Sequence, residues 1–184
     1  MLDLNKYLRI EQDEFSDRPV KLTSGPFLDY LVDCSSILDV GCGTGRLVKY
    51  FIDMGKKNVA GITFDKTEIR FGVKNFELRE DVHLFLGDMH EMPFDDNSFD
   101  AIVSWDSLEH SPAPYVALCE MYRVLIPGGK ALIYIPDTEW IDYQDHYIVM
   151  NTAQMRHLAK MAGFKVEEVI TRGKEDGVYK LMKI

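Results

Sequence analysis

A chain of 184 residues with 46% hydrophobic and 28% charged residues can bury one sizeable core, so it reads as a single globular domain. A formal charge of -9 disfavours a nucleic-acid partner, because phosphate contacts need clustered Lys and Arg. Three scattered cysteines (Cys34, Cys42, Cys119) suit a reducing cytoplasm better than a disulfide framework. No apolar run reaches the length of a membrane span, and Met1 to Asp17 carries acids where a secretory signal needs an apolar core.

The first ~20 residues read as an N-terminal extension, with a lid role expected, ahead of one domain over 21–184. Ser36–Val40 is a short apolar run that reads as a buried strand, followed by Gly41, Gly43 and Gly45. Leu47, Val48, Phe51 and Ile52 form a helical stripe that Gly55 ends. Asn58–Ile62 is the next strand. Asp65 and Glu68 read as a capping pair opening a helix with Ile69, Val73 and Phe76 inward. Val82–Leu86 and Ala101–Trp105 are strands three and four. Val116, Leu118, Met121, Tyr122 and Leu125 mark a third helix, stopped by Pro127-Gly128-Gly129. Lys130–Ile135 is strand five. Asn151 with Gln154 opens a fourth helix carrying Met155, Leu158 and Ala162, ended by Gly163. Lys165–Ile170 and Val178–Met182 close the chain as a hairpin, because the polar link between them is short. Strand-helix alternation predicts an α/β fold, a seven-stranded, mostly parallel sheet with helices on both faces and a C-terminal antiparallel hairpin.

The glycine-rich turn carries the chemistry. A dinucleotide fingerprint would place its third glycine at Arg46, and the phosphate loop G-x-x-x-x-G-K-[ST] is absent. Asp39-Val40-Gly41-Cys42-Gly43-Thr44-Gly45 resembles the first motif of class I S-adenosylmethionine-dependent methyltransferases. Leu86-Gly87-Asp88-Met89, Met92-Pro93-Phe94, Asp96-Asn97-Ser98-Phe99-Asp100, Leu108-Glu109-His110 and Met121 to Gly129 follow in that family's order. Together, over about Ser36 to Pro136, they are similar to its small-molecule branch, the methyltransferase-11-like domain, whose sheet is Rossmann-like.

That resemblance implies a cofactor, S-adenosyl-L-methionine, and roles for individual residues. Asp39, Gly41, Cys42, Gly43 and Gly45 would wrap its methionine half, with a loop-bracing hydrogen bond as the alternative for Asp39. Relatives end the second strand in an acid that holds the ribose. Here Thr63 stands there, one hydroxyl in place of two carboxylate oxygens, so ribose recognition is expected to be weak and to improve on Thr63→Asp. Gly61-Ile62-Thr63 also looks like the cyclopropane-fatty-acid-synthase-like branch, which continues Leu-Ser where this chain has Phe64-Asp65. Asp65 reads as a cap first and a ribose ligand second, and Phe64 as an adenine platform or a core residue. Asp88 and Met89 match the adenine pair, and Ser104, Trp105 and Asp106 end the strand facing the methyl group. Trp105 is placed either by the sulfonium or away from it. His110 is the first candidate for a base near the acceptor, or else a locally bonded turn residue, and His146 is the second.

The implied reaction is methyl transfer to a small-molecule N or O acceptor by a monomer or homodimer. No metal-ligand spacing of the C-x-x-C or H-E-x-x-H kind occurs, so no metal is expected. Two rivals stand beside that reading: another transferase using the same cofactor, and a catalytically degenerate binding or regulatory domain. The acceptor is expected to enter between the N-terminal segment, the 105–115 loop and the acidic 137–147 loop.

Overall fold

Seven strands form one sheet in the computed structural model, which describes residues 28–136, 146–171 and 177–184. They are β1 (Ser36–Val40), β2 (Asn58–Thr63), β3 (Leu84–Leu86), β4 (Phe99–Trp105), β5 (Leu125–Ile135), β6 (Phe164–Thr171) and β7 (Gly177–Lys183). Their spatial order is β3-β2-β1-β4-β5-β7-β6. β1 to β5 run parallel, and β7 lies antiparallel between β5 and β6. The expected sheet and its closing antiparallel pair are therefore observed. The N-terminal extension and most of the 137–147 loop lie outside the described residues.

The central strands are apolar on both faces because both are covered. Ile37, Val59, Ala101 and Val103 point one way. They meet Leu47, Val48 and Phe51 of α1 (Arg46–Asp53) and Ile69 and Phe76 of α2 (Lys66–Phe76). Leu38, Ala60, Ile102 and Ile133 point the other way. They meet Leu118 and Met121 of α3 (Pro114–Val124) and Met155 and Ala159 of α4 (Thr152–Met161). With both faces sealed, the carboxyl edge of the strands is the remaining place for polar groups to converge.

Helix ends follow their capping residues. Asn151 and Gln154 form a reciprocal capping box on α4. Asp65 caps α2 by accepting from the Thr67 N–H at 2.7 Å. Glu68 is not its reciprocal partner, since its carboxylate turns to Thr63 instead. A second difference lies after α3. Leu125 belongs to β5, and Pro127-Gly128-Gly129 sits within that strand, not at a helix stop. Leu125 pairs with Phe99 and Lys130 with Ala101, so the extra residues form an irregularity that the left-handed Gly128 accommodates. Val73, expected inward, is exposed, and so is Val116 of α3.

Gly72 lies inside α2, where glycine normally weakens a helix by about 1 kcal/mol relative to alanine. A Cβ there would stand 2.3 Å from the Thr44 carbonyl oxygen. Gly72→Ala is therefore expected to lower stability by roughly 1–2 kcal/mol despite the better propensity, since overpacking outweighs it. Urea denaturation measures this. A variant as stable as the parent would mean that α2 slides freely away from the glycine turn.

Candidate functional site

β1 runs directly into the glycine turn. Gly41, Gly43 and Gly45 all have left-handed backbone, with φ of 77°, 53° and 81°. The N–H groups of Gly41 and Cys42 both donate to the Ile62 carbonyl of β2, at 2.9 and 3.0 Å. The Ser107 hydroxyl, just past β4, donates to the Val40 carbonyl at 2.9 Å and shares a 2.6 Å hydrogen bond with Ser104. A Cβ on Gly41 would lie 2.3 Å from that of Ser107, so only glycine admits this close approach.

Above the turn opens a cavity of about 910 Å³. Gly41, Gly43, Thr63, Phe64, Asp88, Met89, Asp106 and His110 line it, so the structure brings these sequence-derived candidates together. Phe64 is 81% exposed, which rules out core packing and leaves its ring at the cavity wall. Asp106 holds φ of 47°, a left-handed conformation that aspartate tolerates better than most residues.

Five candidates are not among the lining residues. Asp39 is buried at the end of β1. Cys42 packs its side chain against Gly61, and burial together with the Asp39 charge pushes its thiol well above the usual range. Gly45 heads α1 against Leu78 and Leu84. Ser104 is fully buried with Ser107. Trp105 stacks on Tyr134 with ring centroids 4.7 Å apart, inside the core on the α1 and α2 side. These five residues are all buried and shape the site from beneath.

Sequence reading missed Glu68. The Thr63 hydroxyl donates to its carboxylate at 2.6 Å, and both residues line the cavity. Burial pushes the Glu68 carboxyl up, the Thr63 hydrogen bond draws it back, and the Asp65 charge raises it again. The signal was present as Glu68 five residues after Thr63, but the same glutamate also fitted a capping box. A second unforeseen contact involves Asp88. Its Oδ1 accepts from the His90 N–H at 2.9 Å and lies 2.5 Å from His90 Nδ1, while His90 Nε2 is 2.7 Å from the Ser111 hydroxyl. The His90 backbone bond, the largest influence, holds the Asp88 carboxyl below its usual range.

The other end of the cavity is built on a 3-10 turn, Leu108–His110. Glu109 is fully buried there, and His110 and Tyr147 line the cavity. The Glu109 carbonyl accepts from the N–H groups of Tyr147 and Ile148 at 3.0 and 3.2 Å. That clamp brings His146 beside His110, with ring centroids 5.0 Å apart. Glu109, His110 and His146 thus gather as one group, which no local spacing in the sequence announces.

Residues 38–133 match the family described as Methyltransferase domain. The chain is 36% identical over 108 residues to 24-methylenesterol C-methyltransferase 2 of Arabidopsis thaliana, covering 57% of this chain and 29% of that protein. It is 43% identical over 99 residues to demethylmenaquinone methyltransferase of Staphylococcus aureus, covering 52% and 40%. The match thus spans less than half the length of these relatives. The PH0226 protein of Pyrococcus horikoshii superposes with a TM-score of 0.72 at 24% identity, covering 85% of each chain.

Asp39 gives the site a pH signature. Burial raises its carboxyl from an ordinary 3.8 to about 7. A carboxyl whose folded value lies above its unfolded one favours folding in its neutral form, and that advantage fades as pH rises from about 4 to about 7. Asp39→Asn keeps the shape and removes the charge. It is expected to stabilise the protein at pH 8 by on the order of 1–3 kcal/mol more than at pH 4. Denaturant unfolding at both pH values tests this; an identical difference at each would show that Asp39 does not titrate in that window.

Proposed function

The chain belongs to the methyltransferase-domain family, whose cofactor is S-adenosyl-L-methionine, and we propose that it transfers the cofactor's methyl group to a nitrogen or oxygen of a small-molecule acceptor. One observation carries this reading. The glycine turn, the Thr63–Glu68 pair and Asp88-Met89 converge on a single cavity at the carboxyl ends of β1, β2 and β3.

The donor set suits that cofactor. The turn's backbone carbonyls would offer acceptors to an ammonium above the buried Asp39, and Gly43 leaves backbone open to close approach. Glu68 supplies the two carboxylate oxygens for a ribose diol that Thr63 lacks, and Thr63 fixes their direction. With Oδ1 held by His90, Asp88 would offer Oδ2 to the adenine amine, and the Met89 N–H would serve a ring nitrogen. Phe64 provides an exposed aromatic face.

When bound, the cofactor supplies a methyl group on a sulfonium, already a good leaving group. The protein's part is then position and proton traffic. Asp106 and His110 line the same cavity and would hold the acceptor in line. A neutral amine needs no base in that step; a hydroxyl needs one, and His110 at the cavity wall, with His146 beside it, is our candidate for it. Trp105 contributes from beneath by bracing the end of β4 against Tyr134.

The acceptor is read as a free small molecule, met by a cytoplasmic monomer or homodimer, with residues 1–20 as a lid. The net charge of -9 argues against nucleic acid. The relatives' names point to a sterol carbon and a demethylmenaquinone, so ring-bearing lipophilic acceptors belong in the same screen. The case for a degenerate domain rested on Thr63 and the small size of the chain, and Glu68 weakens the first ground by offering an acid beside Thr63. A screen of candidate acceptors with methyl-labelled cofactor tests the reaction. Binding without transfer to any acceptor class would favour the degenerate domain.

Recognition of the ribose gives a sharper check. Glu68→Gln is expected to weaken S-adenosylhomocysteine binding roughly tenfold, about 1.4 kcal/mol, the low end for a hydrogen bond to a charged group. Thr63→Asp sets a second carboxylate against Glu68, so it is expected to weaken binding rather than improve it. Calorimetry on both variants decides, and tighter binding by Thr63→Asp would show that Glu68 is not the ribose acid.

A further inference from the structure

We infer that Glu109, His110 and His146 form a binding site for one divalent transition-metal cation at the acceptor end of the cavity. One ligand atom from each lies within 4.8 Å of those of the other two. That is close to the ~3–4 Å separations adopted by donors about 2 Å from a shared ion. The two imidazole rings cross at 75° with centroids 5.0 Å apart, so their edges approach from different directions. Two imidazole nitrogens and one carboxylate oxygen are the donor set of sites that hold zinc, iron or manganese and leave positions open.

The surroundings support a built site. Glu109 is 0% exposed, so its carboxylate is held within the fold and not on a solvated surface. Sequence places His146 thirty-six residues after His110 (146 - 110), yet the backbone fixes it there. The Glu109 carbonyl accepts from Tyr147 and Ile148, so the residue that presents the carboxylate also anchors the segment that presents the second imidazole. His110 and Tyr147 line the cavity, so the open positions of a bound ion would face it.

Binding of the ion stands on these contacts alone. Its role rests on the methyltransferase reading: a cation there would ligate an acceptor oxygen, lower its pKa and favour a hydroxyl acceptor over an amine. The rival is a metal-free cluster in which an imidazolium pairs with Glu109.

The test is calorimetric titration of the chelator-stripped full chain with Zn2+ and separately Mn2+, with Co2+ absorption as a second readout of imidazole ligation. One ion per chain is expected. His146→Ala and Glu109→Gln should each weaken it at least tenfold, and His157→Ala, on the outer face of α4, should leave it unchanged. S-adenosylhomocysteine binding by His146→Ala serves as the fold control. Absence of binding to the parent chain, or affinity within twofold of the parent in His146→Ala, overturns the site in favour of the ion pair. Metal binding without any cofactor binding would instead sink the methyltransferase reading and leave the metal site standing.

Discussion

The Ile62 carbonyl accepts from both Gly41 and Cys42, and the Val40 carbonyl accepts from Ser107. These three contacts tie the carboxyl ends of β1, β2 and β4 to a single turn. Each strand end leaves backbone groups that the sheet no longer pairs, and burial makes them costly unless they find partners. The glycine turn supplies those partners, and its left-handed residues let it do so without a side chain standing in the cavity. The floor of the site is thus a consequence of satisfying the sheet's own polar groups. Gly72 extends the same constraint, since α2 can approach the turn only where it carries no Cβ.

The strands and helices were legible because their signals are local. Apolar runs bounded by turn residues fixed Ser36–Val40 without error, and the Asn151–Gln154 capping box marked the start of α4. The misreadings have one cause: a short pattern compatible with two structures. Pro127-Gly128-Gly129 looked like a helix stop, yet β4 offers a pairing edge that draws Leu125 onward into β5. Asp65 and Glu68 had capping-box spacing, but Thr63 offered Glu68 a buried hydroxyl, and tertiary contact won. Trp105 and Ser104 sat at the right strand end, but both faces of β4 are covered there, so Trp105 stacks on Tyr134 and Ser104 bonds to Ser107. The gathering of His146 with Glu109 was illegible because it depends on a backbone clamp between distant segments, with no pattern at either alone.

Acids dominate the cavity, with Glu68, Asp65, Asp88 and Asp106 on its walls and Asp39 buried at the end of β1. Their environments differ enough to separate their tasks. Asp39 has its carboxyl raised by burial alone, so a cation arriving beside it converts a cost into an attraction. Asp88 is already held ionised by His90, which makes it an acceptor at any ordinary pH. Glu68 lies between them, raised by burial and steadied by Thr63. A ligand with a cationic end and neutral polar groups further along matches that gradient, and a polyanion does not.

The two ends of the cavity are assembled differently, and that difference bears on what each can vary. The end with the glycine turn is made from strand termini whose positions the sheet dictates, so altering it disturbs the core. The end with His110 is made from one 3-10 turn and a returning segment joined through the Glu109 carbonyl. Those hydrogen bonds use backbone atoms, so they constrain where the segment runs but not which side chains it carries. Residues such as Tyr147 can therefore change identity without loss of the clamp, while the buried carboxylate of Glu109 remains in place beneath them. The fold thereby fixes the cavity wall at the sheet edge and leaves the wall around His110 open to change at a few side chains.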